Sequence, residues 1–348
     1  MKRPDEVPHF RDRDYVETEG GWFFCVVGDL HPPDRVIAYP KYAPGKGPWR
    51  SGSRSYRRLV SSYSMEELER NIGELRRRGG GYTYFDPYLQ TEMTCVPRSS
   101  IVKHFKPRER LGQLRRQEKR SQLVDRLLSL VDLLSGGSGV QQESFGVTGS
   151  ILLDIQQEFS DLDLLVYGGR NFGSIRRCVE KLRSEGSLGG LSAKSQREWV
   201  ERRLRGHPLA KGDVRRLLER TWTRGTMHGT SFSLHAVRPE HEVTERYGDW
   251  RYRSLGLRRV RATVEDASEG CYMPALYRLK NAVTEEEGLQ VLELASYDGT
   301  LASVFRGGDE LELCGKLEVG ASTHGKPDRC RLVLGTLEGA GREFARLL

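Results

Sequence analysis

The stretch FGVTGSILLDIQQEFSDLDLLVYGG, residues 145–169, decides how the chain is read. Residues 144–147 have the character of a short strand that turns at Thr148-Gly149-Ser150. Glycine lets a backbone approach a ligand closely, and the N–H groups of such a bend, with the Ser150 hydroxyl, can hold phosphate oxygens. The segment DLDLLVY at 161–167 then reads as a strand. Side chains alternate along a strand, so Asp161 and Asp163 leave it on one face and the leucines on the other. Two carboxylates aimed at one point make a hard oxygen site suited to Mg²⁺ or Mn²⁺, with waters and substrate phosphates as the remaining ligands. A phosphate cradle beside a divalent cation is what phosphoryl and nucleotidyl transfer require. The plainer reading makes Asp161 a turn residue and Asp163 a surface acid.

Outward from this stretch, the apolar positions Leu111, Leu114, Leu123, Leu127, Leu130, Val131 and Leu134 predict one amphipathic helix over 111–135, ended by Ser135-Gly-Gly-Ser-Gly139. After Gly168-Gly169 a helix carries Ile175, Cys178, Val179 and Leu182 on one stripe. An Arg-rich helical stretch follows over 195–223, then a strand, TSFSLHAV, at 230–237. In the first part of the chain, strands at 21–30 and 34–42 flank the turn His31-Pro32-Pro33-Asp34. Residues 42–55, rich in Gly, Pro and Ser, read as an exposed loop. A helix with Ser64 and Glu67 as a capping box and Leu68, Ile72 and Leu75 at helical spacing ends at Gly79-Gly80-Gly81. Past residue 256 come short alternating segments at 260–267, 273–279, 289–297, 300–305, 309–319 and 329–338, a density that suggests a small antiparallel β-barrel. The expected architecture is α+β and multidomain: an α/β unit over 1–110, a central α/β domain with a mixed sheet flanked by helices over 111–255, and the barrel over 256–348.

The order of an apolar residue, Gly149 and Ser150, followed by Asp161-Leu162-Asp163 and the apolar Leu164-Leu165-Val166, resembles the signature of the polymerase β-like nucleotidyltransferase superfamily. The resemblance covers residues 111 to 240, and the chain as a whole looks like uncharacterised archaeal proteins that carry this domain. It implies a nucleotidyltransferase-like central domain and a Mg²⁺-dependent transfer from an NTP, ATP foremost, to an acceptor. Asp161 and Asp163 would be the catalytic metal ligands, and Gly149 and Ser150 would contact the triphosphate.

This chain also departs from the pattern. The family adds a third carboxylate from a neighbouring strand, yet residues 230–237 contain no acid. His235 is the first candidate for that position, as a general base, and Ser233 the second; Glu240, Glu242, Glu245 and Asp249 follow in the next loop. The Arg or Lys that often follows the Gly-Ser pair is replaced by Asp154. Triphosphate contacts then fall to the basic stretch, with Arg176 and Arg224 as the leading candidates and Arg177 and Lys181 beside them. Lys41, Arg54, Arg57 and Arg58, interleaved with Tyr39, Tyr42, Trp49 and Tyr56, can stack on bases or can simply anchor the chain. These departures leave a second expectation, a weakened nucleotidyltransferase fold that binds nucleic acid or nucleotide without turnover.

Composition narrows the partners. The net charge is +8, and the interval 176–224 holds 14 Lys or Arg against 6 Asp or Glu, an excess as large as that of the whole chain. Such a surface attracts polyphosphates and RNA, so an RNA acceptor is expected. The apolar runs are strand-length, short of the roughly 20 residues of a membrane span, and residues 1–14 are charged, without the apolar core of a signal peptide. A cytoplasmic protein without membrane association is expected. The six cysteines have no CxxC pair and read as reduced, buried thiols. No P-loop or HExxH motif occurs.

Overall fold

The computed structural model describes residues 9–60, 65–284 and 290–348, and the side chains of residues 65, 66 and 68 are left aside. It is a mixed α/β chain with several sheets, consistent with an α+β multidomain organisation. The first sheet is built from β1 (Tyr15–Thr18), β2 (Phe23–Val26), β3 (Arg35–Ser51) and β4 (Arg54–Arg58), then, beyond helix α1 (Met65–Arg78), β5 (Thr83–Asp86), β6 (Thr91–Pro97) and β7 (Ile101–Phe105). Its order is β5-β6-β3-β2-β1-β7, with β4 paired to β3. One face buries Val16, Trp22, Phe24, Val26, Val36 and Ala38 together with Leu75 of α1. The other face carries Tyr15, Phe23, Cys25, Tyr42 and Tyr56, and packs on Leu152, Leu153 and Ile155 from the 145–169 stretch. Burying aliphatic side chains of this size contributes about 1.5–3 kcal/mol each, which fixes the first sheet against the central stretch.

The central part begins with α2 (Pro107–Arg116) and α3 (Gln122–Ser138), then β8 (Phe145–Val147), a single turn α4 (Gly149–Leu152), β9 (Leu162–Tyr167), α5 (Gly169–Ser184), α6 (Ala193–Gly206), α7 (Lys211–Glu219), β10 (Arg224–Met227) and β11 (Thr230–Val237). The sheet order is β10-β11-β9-β8, with β9 and β11 parallel and both edge strands antiparallel. Leu162, Leu164 and Val166 of β9 and Phe232, Leu234 and Ala236 of β11 join α2, α3 and α5 in one core. By alternation, Asp163, Ser233 and His235 therefore share the opposite face.

The last part holds β12 (Trp250–Asp266), β13 (Ala275–Thr284), β14 (Glu293–Ser296), β15 (Glu310–Ser322), β16 (Arg329–Leu334) and β17 (Phe344–Leu347). The path runs β12-β13-β14-β16-β15-β17, and β12 also pairs with β15. The pairings are antiparallel except β14 with β16, which is parallel. Helices α6 and α7 bury Trp199, Val214 and Leu217 in the core of this part rather than of the central one.

Several expectations need correction. Residues 42–55 are not a free loop: they extend β3 and turn at Gly52 (φ 56°) into β4. The single helix over 111–135 is two, because Gln117 is extended and Ser121 starts α3 by accepting from Val124 N at 3.4 Å. The helical stretch 195–223 is likewise two, broken where His207 adopts the extended backbone that a following Pro208 imposes. Residues 300–305 form no strand, since Asp298 caps a 3₁₀ turn there through Thr300 N at 2.9 Å. Residues 110 and 111 both lie in α2, and residues 255 and 256 both lie in β12. Ser64, expected to cap α1, lies outside the described residues, whereas Gly79, Gly80 and Gly81 end the helix with positive φ. Cys25, Cys95, Cys178, Cys314 and Cys330 are buried free thiols, and Cys271 is partly buried.

Candidate functional site

β8 delivers Thr148 to the head of β9, where Thr148 N donates to Asp163 O at 2.9 Å. Gly149 then turns with φ 69°, in the left-handed region that glycine favours. A Cβ at this position would run into Asp163 Oδ2. Glycine is thus demanded twice, by the backbone angle and by the carboxylate beside it. Ser150 is buried, and its carbonyl accepts from Ile155 N at 3.1 Å, which closes the bend.

Asp163 is half-buried on β9, and Asp161, just before the strand, is open to solvent. Burial by the surrounding protein raises Asp161 to about 6, with the like charge of Asp163 adding to the effect and Arg58 and Arg224 opposing it. On the neighbouring strand Ser233 stands in register with Asp163. The Ser233 hydroxyl donates to Asp163 Oδ1 at 2.5 Å and lies 3.0 Å from His235 Nε2. With Ser233 donating to the carboxylate, His235 Nε2–H is the assigned donor to Ser233. Burial, then the charges of Arg13, Arg224 and Lys41, hold His235 well below its ordinary pKa, so it is a neutral imidazole at pH 7.

The cations come from two sheets and a turn. Arg224 on β10 sits opposite Ser233. Burial pulls its guanidinium below its ordinary value, and Asp163 acts against that. Arg13 lies in the turn just before β1, Lys41 on β3 and Arg58 on β4. Arg13 has φ 67°, and its carbonyl accepts from Thr148 Oγ1 at 2.9 Å, so the turn into the first sheet is hydrogen-bonded to the residue that leads into the Gly149 bend. Non-glycine residues rarely hold this backbone, and such outliers gather where the surroundings dictate a geometry. Lys41 is 4% exposed; burial, then Arg58, drive its amine well below the ordinary lysine range, while Asp163 pulls it back up. The result is a like-charged pair of aspartates facing basic side chains, of which Lys41 is buried, Arg13 and Arg224 half-buried and Arg58 exposed, with Tyr15 and Tyr42 close enough to feel Asp163.

No protein-family model matches the chain. It is similar to an uncharacterised protein of Methanocaldococcus jannaschii, 26% identical over 340 residues that cover 97% of this chain and 98% of the other. No solved structure matches.

Of the residues singled out from the sequence, Gly149, Asp161, Asp163, Arg224 and His235 converge here, and Ser150 is buried in the bend beside Gly149. Arg176 does not join them: its Nε pairs with Glu180 Oε1 at 3.0 Å on the surface of α5, and its guanidinium lies 6.0 Å from the Trp222 ring. The loop acids offered in place of a third carboxylate are engaged elsewhere. Glu240 pairs with Arg11, Glu242 accepts from Tyr272, Glu245 pairs with Arg329, and Asp249 meets His324. Arg13 escaped the sequence reading because its importance comes from a backbone outlier and a long-range contact. Lys41 and Arg58 belong in the sequence to a basic, aromatic-interleaved group with nothing local to tie it to the aspartates.

Among the described residues no group of three or more His, Cys, Asp or Glu side chains is arranged to hold a metal ion. The donors present still fit Mg²⁺ or Mn²⁺, which commonly bind one or two carboxylates and take the rest of their shell from water and phosphate. Desolvation comes first in raising the proton affinity of Asp161 and the charge of Asp163 adds to it, and a bound cation would offset both. No helix among the described residues is long and apolar enough to cross a membrane.

Proposed function

We propose that the chain is a nucleotidyltransferase that moves a nucleotidyl group from an NTP, ATP foremost, to an RNA acceptor. The observation that carries this reading is the juxtaposition of Asp161 and Asp163 with the Gly149 bend on one side and Arg13, Lys41, Arg58 and Arg224 on the other. In this reading the β10-β11-β9-β8 sheet with α2, α3 and α5 is a nucleotidyltransferase-like core, and the C-terminal strands, whose path returns from β15 to β12, close a small barrel. A Mg²⁺ ion held by Asp161 and Asp163 would neutralise charge on the phosphates and align the reacting oxygens. Arg224, Arg13, Lys41 and Arg58 hold the anionic tail, and Gly149 leaves room for the chain to approach it. Ser233 fixes the rotamer of Asp163. The acceptor hydroxyl forms a bond to the α-phosphorus, the bond to the pyrophosphate oxygen breaks, and pyrophosphate leaves; the hydroxyl proton passes to solvent, and His235, whose Nε2–H is given to Ser233, holds the Ser233–Asp163 pair in place.

Incorporation of labelled ATP into a total-RNA pool tests this directly. Asp161→Ala with Asp163→Ala should lower incorporation about 10³-fold or more, the scale of losing the main electrostatic stabiliser of a transition state. Undiminished incorporation in that variant rejects the assignment.

One observation favours a second reading. The third strand position holds Ser233 and His235 rather than an acid, and a site with a single acid pair can bind nucleotide or RNA without turning it over. Salt-sensitive RNA binding with no incorporation by the unaltered protein would select that reading.

A further inference from the structure

The hairpin formed by β3 and β4 supplies Lys41 and Arg58 to the site above, but its outer part, which carries Lys46, Trp49 and Arg50, has no role in that chemistry. Residues 41–58 hold Lys41, Lys46, Arg50, Arg54, Arg57 and Arg58 and no Asp or Glu. A bulge is built into it: Tyr56 faces both Pro44 and Trp49, and the intervening residues are ejected from the ladder. Gly47 lies so close to the Tyr56 backbone that no side chain fits there. The bulge carries Trp49 to Phe159, with the rings 6.1 Å apart at 73°, while Tyr42 supports Trp49 from beneath at 5.4 Å. Phe159 is 61% exposed and stands two residues before Asp161. A half-exposed tryptophan and an exposed phenylalanine, placed edge to face beside the exposed Lys46 and Arg50 of the hairpin, offer an apolar ring face next to positive charge. A base pair in a duplex hides its faces, whereas an unpaired base presents one to each neighbour.

We infer that the β3–β4 hairpin and Phe159 form a dock for the unpaired 3′-terminal nucleotides of a single-stranded RNA. Bases stack on Phe159 and Trp49, and phosphates run along Lys46 and Arg50, both exposed. The direction of the strand, with its 3′-hydroxyl toward Asp161 and Asp163, rests on the nucleotidyl-transfer reading; the dock itself does not.

The experiment measures binding without NTP or metal, so it is independent of turnover. Full-length protein is titrated into a 5′-fluorescein RNA of about ten nucleotides, and separately into a blunt duplex of the same sequence, with anisotropy as the readout. The single strand is expected to bind more tightly. Phe159→Ala and Trp49→Ala should each weaken it about tenfold, while Phe159→Trp keeps the affinity. Lys46→Gln with Arg50→Gln should flatten the slope of log affinity against log salt by about 1.4. Phe159 is exposed, so its truncation leaves the fold intact, which circular dichroism verifies. Equal affinity for strand and duplex, full affinity in Phe159→Ala, or no RNA binding at low salt overturns the dock. So does an equal loss of ATP affinity in Phe159→Ala, because the ring would then hold the nucleotide's own base. Stacking that behaves as expected in a protein that incorporates no nucleotide rejects the transfer reading alone and leaves the dock standing.

Discussion

Two regions of the molecule place charge inside the protein, and they do it in opposite ways. On β15 and β16, Glu318 is 3% exposed and sits between Lys316, at 2.6 Å, and Arg331, at 2.9 Å, its cross-strand partner. The Arg331 guanidinium also lies 3.4 Å from the Tyr252 ring centre. There each charge meets its opposite and water is kept out. At the head of β9 two carboxylates of the same sign are neighbours, one of them is open to solvent, and Asp161 is raised to about 6. A buried triad in which one carboxylate bridges two cations specifies a structure; an open pair of like charges is a cost to the fold that an incoming cation or ligand relieves. The difference separates a joint from a site.

The sharpest way to break this contrast is to remove one member of each. Glu318→Gln leaves two buried cations without their counter-charge and should cost about 3–5 kcal/mol of stability, read from urea or thermal unfolding. Replacing the whole triad with Met and Leu side chains should recover most of that loss, since well-packed apolar residues commonly match a buried ion network. At the other region the sign reverses. Asp161→Asn removes a like-charge repulsion, so the unfolding transition should stay where it is or move upward. A loss of stability comparable to that of Glu318→Gln would mean that the aspartates are structural after all.

How much of this was legible in the sequence depends on range. The strand with paired acids, the glycine bend before it and the strand at 230–237 were readable because alternation and turn chemistry are local. The joining of two sheets around the acids was not, since it rests on Leu152, Leu153 and Ile155 packing against Tyr15, Phe23 and Tyr42 more than a hundred residues earlier. Arg13 illustrates the limit: its role depends on φ 67° and on a hydrogen bond from Thr148, and neither leaves a pattern in composition. The breaks at Gln117 and at His207-Pro208 show the reverse case, in which an apolar period continued across a local signal that should have overruled it.

Acidity gives a milder test of the same like-charged pair. The folded value of Asp161 lies above the ordinary 3.8 of a free aspartate, so between about pH 4 and 6 the folded chain binds this proton more tightly than the unfolded chain does. Its contribution to stability is therefore present at the acid end of that window and is lost as the pH rises through about 6. Cation binding runs the other way: Mn²⁺ affinity, followed by electron paramagnetic resonance, should fall as the pH drops below about 6 and the proton displaces the metal. In Asp161→Asn the pH step should vanish. A step that persists unchanged in that variant would place the titrating group elsewhere and would detach the raised value from the site.

The smallest effect is expected where sequence and structure disagree about a cation. Arg176 belongs to the most basic interval of the chain, and charge density alone would give it a phosphate. The structure instead makes it one half of an i,i+4 pair with Glu180 on α5, with Trp222 6.0 Å away. Such surface pairs are worth about 0.3–0.5 kcal/mol, and no reacting group depends on this one. Arg176→Gln should therefore shift stability by less than about 0.5 kcal/mol and leave ATP affinity within twofold, whereas Arg224→Gln, whose charge faces Asp163, should weaken ATP binding about tenfold or more. Calorimetric titration of both variants decides the matter. If Arg176→Gln proves the more damaging, the polyphosphate lies along α5 and not in the joint between the two sheets, and the group of cations described above loses its purpose.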